Sequence, residues 1–267
     1  MKLRLGLSPC PNDTFIFDAL LNGKIDTEGL EIEACFADVE QLNKWAFKGK
    51  LDVTKLSFNA FTHCISDYIL LDSGSALGKN CGPLLIKKPE IILSEDSKLA
   101  IPGKHTTANM LLELAFPNYQ NKIETCFSNI ETDILQGKVD AGVIIHENRF
   151  TYMNKGLEKV ADLGDLWENE TGLPIPLGGI VIKRYFTTEI HKMFERVVRK
   201  SIEYAFANKT SSLDFVRLHA QEMEREIIES HINLYVNEHS ISLGDKGRKA
   251  VKLFFQKAGN NTETIFV

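Results

Sequence analysis

A histidine closes an apolar, β-branched run in the middle of the chain. The run extends from Val139 to Ile145, and His146 follows it directly. Such a run predicts a buried strand, and open α/β sheets bind ligands just beyond the carboxyl ends of their strands. A histidine there, with a pKa near neutral, is suited to act as a general base. The alternative is a core histidine whose ring is satisfied by hydrogen bonds within the protein.

Hydroxyl side chains follow three other predicted strands: Ser8 after Leu3–Leu7, Ser57 after Leu51–Leu56, and Thr106 and Thr107 after Leu99–Ile101. If two α/β lobes face each other, we expect these positions to line one cleft. Two of them precede predicted helices, and helix N-termini bind anions. The pattern favours a small carboxylate ligand. A polyphosphate is disfavoured because neither GxxxxGK[ST] nor GxGxxG occurs.

The same residue types also cap helices without binding a ligand. Ser8, Asn12 and Asp13 precede the first predicted helix, so they either contact a ligand or cap that helix. Lys55 is predicted on the opposite face of its strand from Leu56. It would therefore pair with an acidic side chain or reach into the cleft, and both alternatives stay open.

Composition and charge limit the class of protein. A chain of 267 residues is long enough for one large domain or two small ones. The net charge is −5 with both signs well mixed, so nucleic acid and membrane surfaces are not expected partners. No uncharged apolar run approaches the roughly 18 residues of a membrane span. The N-terminal apolar run is too short for a signal peptide.

The cysteines argue against both disulfides and metal. There are five, and no CxxC pair occurs among them. The sequence also lacks HExxH, and its Cys–His spacings fit no zinc template. We therefore expect reduced thiols, a cytoplasmic location and no metal site.

Strands and helices alternate through the first two thirds of the chain, which favours largely parallel sheets covered by helices. Two stretches are similar: FKGKLDVTKLS around Gly49 and LQGKVDAGVII around Gly137. Both read as a helix end, Gly-Lys and then a strand, which suggests two similarly built lobes. We predict an α/β fold in which lobe 1 comprises 1–89 and 184–267 and lobe 2 comprises 90–183.

Amphipathic helical patterns dominate the last third, at 189–207, 212–223, 226–236 and 245–257. Their apolar faces must be covered, either by lobe 1 or by a second copy in a homodimer. Five histidines are interpreted as surface residues or satisfied core residues: His63, His191, His219, His231 and His239.

Five motifs occur in order along the chain: SPCPNDTFIF from Ser8, VTKLS from Val53, GKHTTA from Gly103, AGVIIHENRFTY from Ala141 and TGLPIPLGGI from Thr171. Together they resemble the 1,4-dihydroxy-6-naphthoate synthase family of the futalosine route to menaquinone. The resemblance covers essentially the whole chain. It implies a two-lobe type II periplasmic-binding-protein-like fold with a central cleft and a helical C-terminal segment.

The resemblance also implies an activity. The family splits cyclic dehypoxanthine futalosine, a small carboxylate, into 1,4-dihydroxy-6-naphthoate and a sugar-derived remnant, and it needs no cofactor. It implies that His146 is the proton acceptor. Six residues would bind substrate: Lys55, Leu56, Ser57, Thr106, Thr107 and Ala108. Whether Ser8, Asn12 and Asp13 touch substrate stays open.

Two alternatives share the fold. Chorismate dehydratase belongs to the same pathway, but its family lacks the SPCPNDTF opening. A non-catalytic protein that binds small anions is the alternative from another class, and the absence of a signal peptide argues against it. Turnover separates the two classes, because a binding protein returns its ligand unchanged.

Overall fold

The computed structural model describes residues 1–220, 224–261 and 264–267. The strands are β1 (Lys2–Leu7), β2 (Glu31–Phe36), β3 (Val53–Ser57), β4 (Tyr68–Leu70), β5 (Ala76–Gly78), β6 (Leu84–Lys87), β7 (Leu99–Ile101), β8 (Lys122–Glu124), β9 (Ala141–Ile144), β10 (Glu158–Asp162) and β11 (Ile175–Lys183). The helices are α1 (Pro11–Leu21), α2 (Val39–Phe47), α3 (Phe58–His63), α4 (Thr107–Ala115), α5 (Ile130–Leu135), α6 (Asn148–Thr151), α7 (Leu163–Thr171), α8 (Thr188–Ala207), α9 (Leu213–His219), α10 (Arg225–Tyr235), α11 (Glu238–Ile241) and α12 (Gly244–Lys257). The alternation confirms the predicted α/β class.

The chain divides into two compact units. The first comprises Met1–Gly78 and Pro176–Val267, and the second comprises Lys79–Ile175. The sequence placed the lobe boundaries after residues 89 and 183. Strand pairing accounts for the observed positions, because β6 belongs to the sheet of the second unit and β11 to that of the first.

The sheet of the first unit has the strand order β2-β1-β3-β11-β4, and β5 pairs with β11. In it, β1 runs parallel to β2 and β3, whereas β11 is antiparallel to β3 and β4. The sheet of the second unit has the order β10-β6-β9-β7-β8. There, β7 runs parallel to β8 and β9, and β6 is antiparallel to β9 and β10.

The two sheets share one topology. The series β2-β1-β3-β11 in the first unit corresponds to β8-β7-β9-β6 in the second. The two similar stretches of sequence fall on equivalent steps, from α2 into β3 and from α5 into β9. Gly49 and Gly137 both have positive φ, 62° and 70°, just after these helices. Glycine adopts this left-handed conformation without a steric penalty. The glycine of the repeated Gly-Lys is therefore explained by the turn that follows each helix.

The core of the first unit lies between its sheet and the late helices. Leu5 of β1, Phe17 of α1, Phe194 of α8 and Ile232 of α10 belong to one buried apolar cluster. The late helices therefore pack on the first unit, which is one of the two predicted arrangements. The helix predicted over 212–223 is observed over Leu213–His219, and its last three residues lie outside the described part of the chain.

The second unit has its own core, formed by Ile86, Ala100, Ile130, Ile144 and Tyr152 with their neighbours. These side chains come from β6, β7, α5, β9 and the turn after α6. None of the described helices is both long enough and apolar enough to cross a membrane.

Cysteine reactivity should follow burial. Burial raises the pKa of the Cys64 and Cys81 thiols to about 12, whereas Cys126 is exposed. Because the thiolate is the nucleophile, iodoacetamide at mildly alkaline pH should label Cys126 in the folded protein. It should label Cys64 and Cys81 only after denaturation, as measured by peptide mass spectrometry. The Cys126→Ser variant is the control that should lose the fast label. Fast labelling of Cys64 or Cys81 in the folded protein would contradict the described packing.

Candidate active site

A fully buried carboxylate lies at the carboxyl ends of β1 and β3. It belongs to Asp13, which is 0% exposed in the first turn of α1. Its Oδ2 accepts hydrogen bonds from the Ser8 amide at 3.2 Å and the Ser8 hydroxyl at 2.8 Å. Its Oδ1 accepts from Asn12 Nδ2 at 2.8 Å and Lys55 Nζ at 2.9 Å. Four donors thus compensate a charge that is otherwise costly to bury.

The position of this network excludes the capping alternative for Asn12 and Asp13. The sequence places Asn12 and Asp13 before the first helix, but the helix starts at Pro11, because proline is well suited to the first helical position. Cys10 occupies the N-cap position without a side-chain cap hydrogen bond. Asn12 and Asp13 therefore lie inside the helix and do not cap it. The Asp13 side chain turns back to Ser8 and across to β3.

Lys55 forms the predicted pair with an acid. Its side chain is 9% exposed, and an ammonium carries three N–H donors. Within the described residues, Asp13 is the acceptor that Nζ reaches, so further donors are available for a ligand. The neighbouring strand is kept close by glycine: a Cβ on Gly178 would lie 2.6 Å from the Leu56 carbonyl oxygen and 3.3 Å from Lys55 Cε. Close packing of β11 against β3 beside Lys55 therefore explains the glycine at position 178 in the TGLPIPLGGI motif.

Ser57 ends β3 and caps α3. Its Oγ accepts hydrogen bonds from the Ala60 amide at 3.3 Å and from Asn43 Nδ2 at 3.1 Å. Its own amide donates to Asn43 Oδ1 at 3.2 Å, and Asn43 Nδ2 also reaches Glu40 Oε2 at 3.2 Å. A buried polar pair on α2 therefore holds Ser57 in place. Leu56 buries its side chain in the core, so only its backbone is suited to a ligand.

His146 occupies a turn beyond β9 in the second unit. It is half-buried, and its ring meets the Phe127 ring edge to face at 5.0 Å. Its φ is +59°, the left-handed region. A side chain with a Cβ is held there at a cost of about 1–3 kcal/mol, and such strain is concentrated at functional sites. His146 is therefore neither fully buried nor in a relaxed backbone conformation.

The residues after His146 are anchored by buried polar contacts. Asn148 Nδ2 donates to Glu131 Oε2 at 2.7 Å, and Lys155 Nζ reaches the same oxygen at 2.6 Å. Arg149 Nη1 donates at 2.6 Å to a backbone carbonyl in the loop before β6. These bonds fix α6 on α5 and on the edge of the sheet. They compensate the unfavourable backbone conformation of the turn.

The predicted threonines form the start of α4. Thr106 is its N-cap: Oγ1 accepts from the Asn109 amide at 3.2 Å and donates to the Gly103 carbonyl at 2.8 Å. Thr107 and Ala108 follow in the first turn, and both are buried. Thr106 therefore caps the helix, as one of the two alternatives predicted. The first amides of the helix still form the positive end of its dipole.

Each unit thus gathers its predicted residues at one edge of its sheet. In the first unit, Ser8 and Asp13 after β1 contact Lys55 of the neighbouring strand β3. In the second unit, β7 and β9 are parallel neighbours, so Thr106 and His146 both follow the carboxyl ends of adjacent strands. Strand order reverses at both places, which is where open α/β sheets bind ligands.

Two buried polar residues of the first unit, Glu40 and Asn43, are not singled out by the sequence analysis, and a third, His231, is interpreted there only as a surface or satisfied core residue. Asn43 is fully buried between Leu42 and Ala46 on the apolar side of α2. Asn43 could have been found from the sequence, because it is a polar residue within an otherwise apolar helix face. Across residues 1–220, 224–261 and 264–267, no group of three or more His, Cys, Asp or Glu side chains is placed to hold a metal ion.

A family model described as menaquinone biosynthesis matches residues 3–260 of the chain. The chain belongs to this family. Two curated relatives are both named 1,4-dihydroxy-6-naphthoate synthase. The one from Thermus thermophilus is 43% identical over 256 residues, 96% of this chain and 93% of the relative. The one from Streptomyces coelicolor is 39% identical over 261 residues, 96% of this chain and 92% of the relative. The resemblance predicted from the five motifs is confirmed.

Solved structures place the family among two-lobe folds. Protein AF1704 from Archaeoglobus fulgidus matches with a TM-score of 0.92 and 34% identity, over 97% of each chain. The periplasmic aliphatic sulphonate binding protein SsuA from Escherichia coli matches with a TM-score of 0.63 and 13% identity, over 98% of this chain and 89% of the other. The latter likeness shows the fold alone and confirms the predicted periplasmic-binding-protein-like architecture.

The buried ion pair generates a prediction on stability. Asp13→Asn should lower the free energy of unfolding by roughly 3–5 kcal/mol, because it leaves the Lys55 ammonium buried without its carboxylate. Urea denaturation followed by circular dichroism measures the change. The double variant Asp13→Asn, Lys55→Met should recover part of the loss, since it removes both charges. A double variant less stable than Asp13→Asn alone would contradict this account.

The backbone of His146 generates a second prediction. His146→Gly should be about 1 kcal/mol more stable than His146→Ala, because glycine adopts positive φ without the clash that alanine keeps. The two variants remove the same imidazole, so their difference isolates the backbone. Thermal and urea denaturation of both proteins measure it. An alanine variant as stable as the glycine variant would show that the turn is not strained.

Proposed function

We propose that this protein splits cyclic dehypoxanthine futalosine to form 1,4-dihydroxy-6-naphthoate, as a carbon–carbon lyase of menaquinone biosynthesis. The observation that carries the proposal is the identity to two relatives named for this product, 43% and 39% over 96% of the chain. The residues of the recognised motifs also gather at the strand ends of each sheet, where this class of fold binds ligands.

His146 is the proposed general base. Removing a proton from a carbon next to a carbonyl forms an enolate: the electron pair of the C–H bond becomes a C=C bond, the π pair of the carbonyl moves to its oxygen, and the proton moves to the imidazole. The enolate then reforms the carbonyl by expelling a group from the carbon β to it, and this prepares the retro-aldol-like cleavage of the C–C bond that releases the sugar-derived remnant. Aromatisation of the naphthalene product then drives the reaction forward. The strained, half-buried turn after β9 supports this role, because it fixes a ring that stays accessible.

Two groups of donors are proposed to bind the substrate. Lys55, with N–H donors beyond its bond to Asp13, would hold the carboxylate, and Ser57 and the backbone of Leu56 would adjoin it. Thr107 and Ala108 lie in the first turn of α4, which Thr106 caps, and this end of the helix is suited to stabilise a developing oxyanion. Ser8, Asn12 and Asp13 support the lysine from within the first unit.

The proposed chemistry needs a base and oxyanion donors, and it has no redox or group-transfer step that would require a cofactor. We also propose a cytoplasmic location. It is supported by the five free thiols, which are typical of proteins kept in a reducing compartment.

The proposal is tested by incubating the purified protein with cyclic dehypoxanthine futalosine and following the naphthoate chromophore. The wild type should form product, and His146→Ala should lower kcat by about 10²–10⁴-fold with a small change in KM, as expected for loss of a general base. His63→Ala is the matched control. It removes an exposed histidine of the first unit and should leave kcat unchanged.

The outcomes separate the parts of the proposal. Product from both wild type and His146→Ala at equal rates would keep the activity and remove His146 from its role. A wild type without product would overturn the activity, and chorismate would then enter the same assay. Recovery of chorismate unchanged would favour a protein that only binds small anions.

A further inference from the structure

His231 lies in α10, far along the chain from the recognised motifs, and it is 0% exposed. Its Nε2 is 3.0 Å from Oδ1 of Asn12, a contact between residues 219 positions apart. We propose that His231 is a positioning residue for substrate binding, which holds Lys55 in place through Asn12 and Asp13. This inference rests on the proposed function, in which Lys55 binds the substrate carboxylate.

The direction of the hydrogen bonds is determined by the carboxylate. Asp13 is an acceptor only, so the side of the Asn12 amide that faces it at 2.8 Å must be the NH₂ group. The Asn12 carbonyl oxygen therefore faces His231, whose Nε2 must carry a proton and donate. If the amide were reversed, its oxygen would meet the carboxylate oxygen. His231 thus supports the orientation of Asn12 that the carboxylate selects, through a hydrogen bond that a hydrophobic residue of similar size could not donate.

The effect reaches Lys55 through one shared oxygen. Asp13 Oδ1 accepts from both Asn12 Nδ2 and Lys55 Nζ, whereas Oδ2 accepts from Ser8. The plane of the carboxylate is therefore held by Ser8 on one side and by Asn12 on the other. Loss of the Asn12 contact would let the carboxylate rotate and the ammonium shift. A displacement of about 1 Å in a positioned group is enough to weaken binding or catalysis by large factors.

Another buried histidine of the first unit offers a matched control. His191 is also buried and also forms one hydrogen bond through Nε2, to the backbone carbonyl of Lys183 at 3.0 Å. That contact ties α8 to the end of β11, and it does not lead to Lys55. Replacing either histidine removes a buried imidazole and a bond of equal length. Only the replacement of His231 should weaken substrate binding.

The experiment compares His231→Leu, His231→Gln and His191→Leu with the wild type. His231→Leu should raise KM by about tenfold or more with kcat within about threefold, because Lys55 binds a group remote from the reacting atoms. His231→Gln keeps an amide donor near the position of Nε2 and should restore KM to within about threefold of wild type. His191→Leu should keep the wild-type KM. Circular dichroism establishes that each variant is folded.

A double variant tests the route. If His231 acts through Asn12, the rise in KM caused by His231→Leu, Asn12→Ala should equal that of Asn12→Ala alone. Multiplying effects would overturn the proposed route. A folded His231→Leu with wild-type KM, or a folded His231→Gln as impaired as His231→Leu, would overturn the role itself. If His231→Leu does not fold, the KM of Asn12→Ala tests the inference instead. A wild-type KM for Asn12→Ala would overturn the inference.

Binding of 2-naphthoate, followed by fluorescence, separates this inference from the proposed function. If the wild type makes no product, the proposed function is wrong, and the role of His231 is decided by the Kd of 2-naphthoate. A Kd raised about tenfold in His231→Leu but not in His191→Leu supports the role. Equal Kd values, or a wild type that does not bind 2-naphthoate, overturn it.

Discussion

The first unit depends on one buried charge. The Asp13 carboxylate has no solvent exposure, so its stability in the fold requires that donors surround it. Those donors come from the loop after β1, from α1 itself and from β3, and α10 joins through His231. None of these elements can move without leaving a charge or a polar atom uncompensated. The carboxylate therefore fixes the relative positions of a strand end, a helix start and a lysine, which is a stricter requirement than apolar packing makes.

The part of this arrangement that is local in sequence could be predicted, and the part that is distant could not. Ser8 and Asp13 stand out because polar residues follow a strand and precede a helix. Their types suit capping equally well, so only the structure decides that Asp13 turns toward Lys55. The contact between Asn12 and His231 joins residues 219 positions apart and leaves no periodic signal. The repeated Gly-Lys steps, in contrast, could be read from the sequence because each needs a left-handed residue after a helix.

His146 and His231 show why the position of a histidine predicts its chemistry incompletely. The apolar run before His146 predicts a strand end, and the structure places it just beyond β9. Nothing in that pattern predicts a positive φ, since glycine or asparagine is the usual choice there. The conformation persists because Asn148, Arg149 and Glu131 hold the following helix in place. His231 belongs to the amphipathic pattern of its helix, and its contact with Asn12 emerges only from the structure.

The fold alone does not distinguish binding from catalysis. A sulphonate-binding protein with 13% identity shares it, and a site made only of hydroxyls, amides and a lysine would suit a bound anion equally well. What a binding site does not require is a base held in a strained turn, because strain lowers stability without improving affinity unless the ring must point in one direction. The polar contacts after His146 hold the following helix in place and so fix the direction of the ring. The energetic cost of the turn therefore supports the proposed proton transfer, in addition to the identity to two relatives named as synthases.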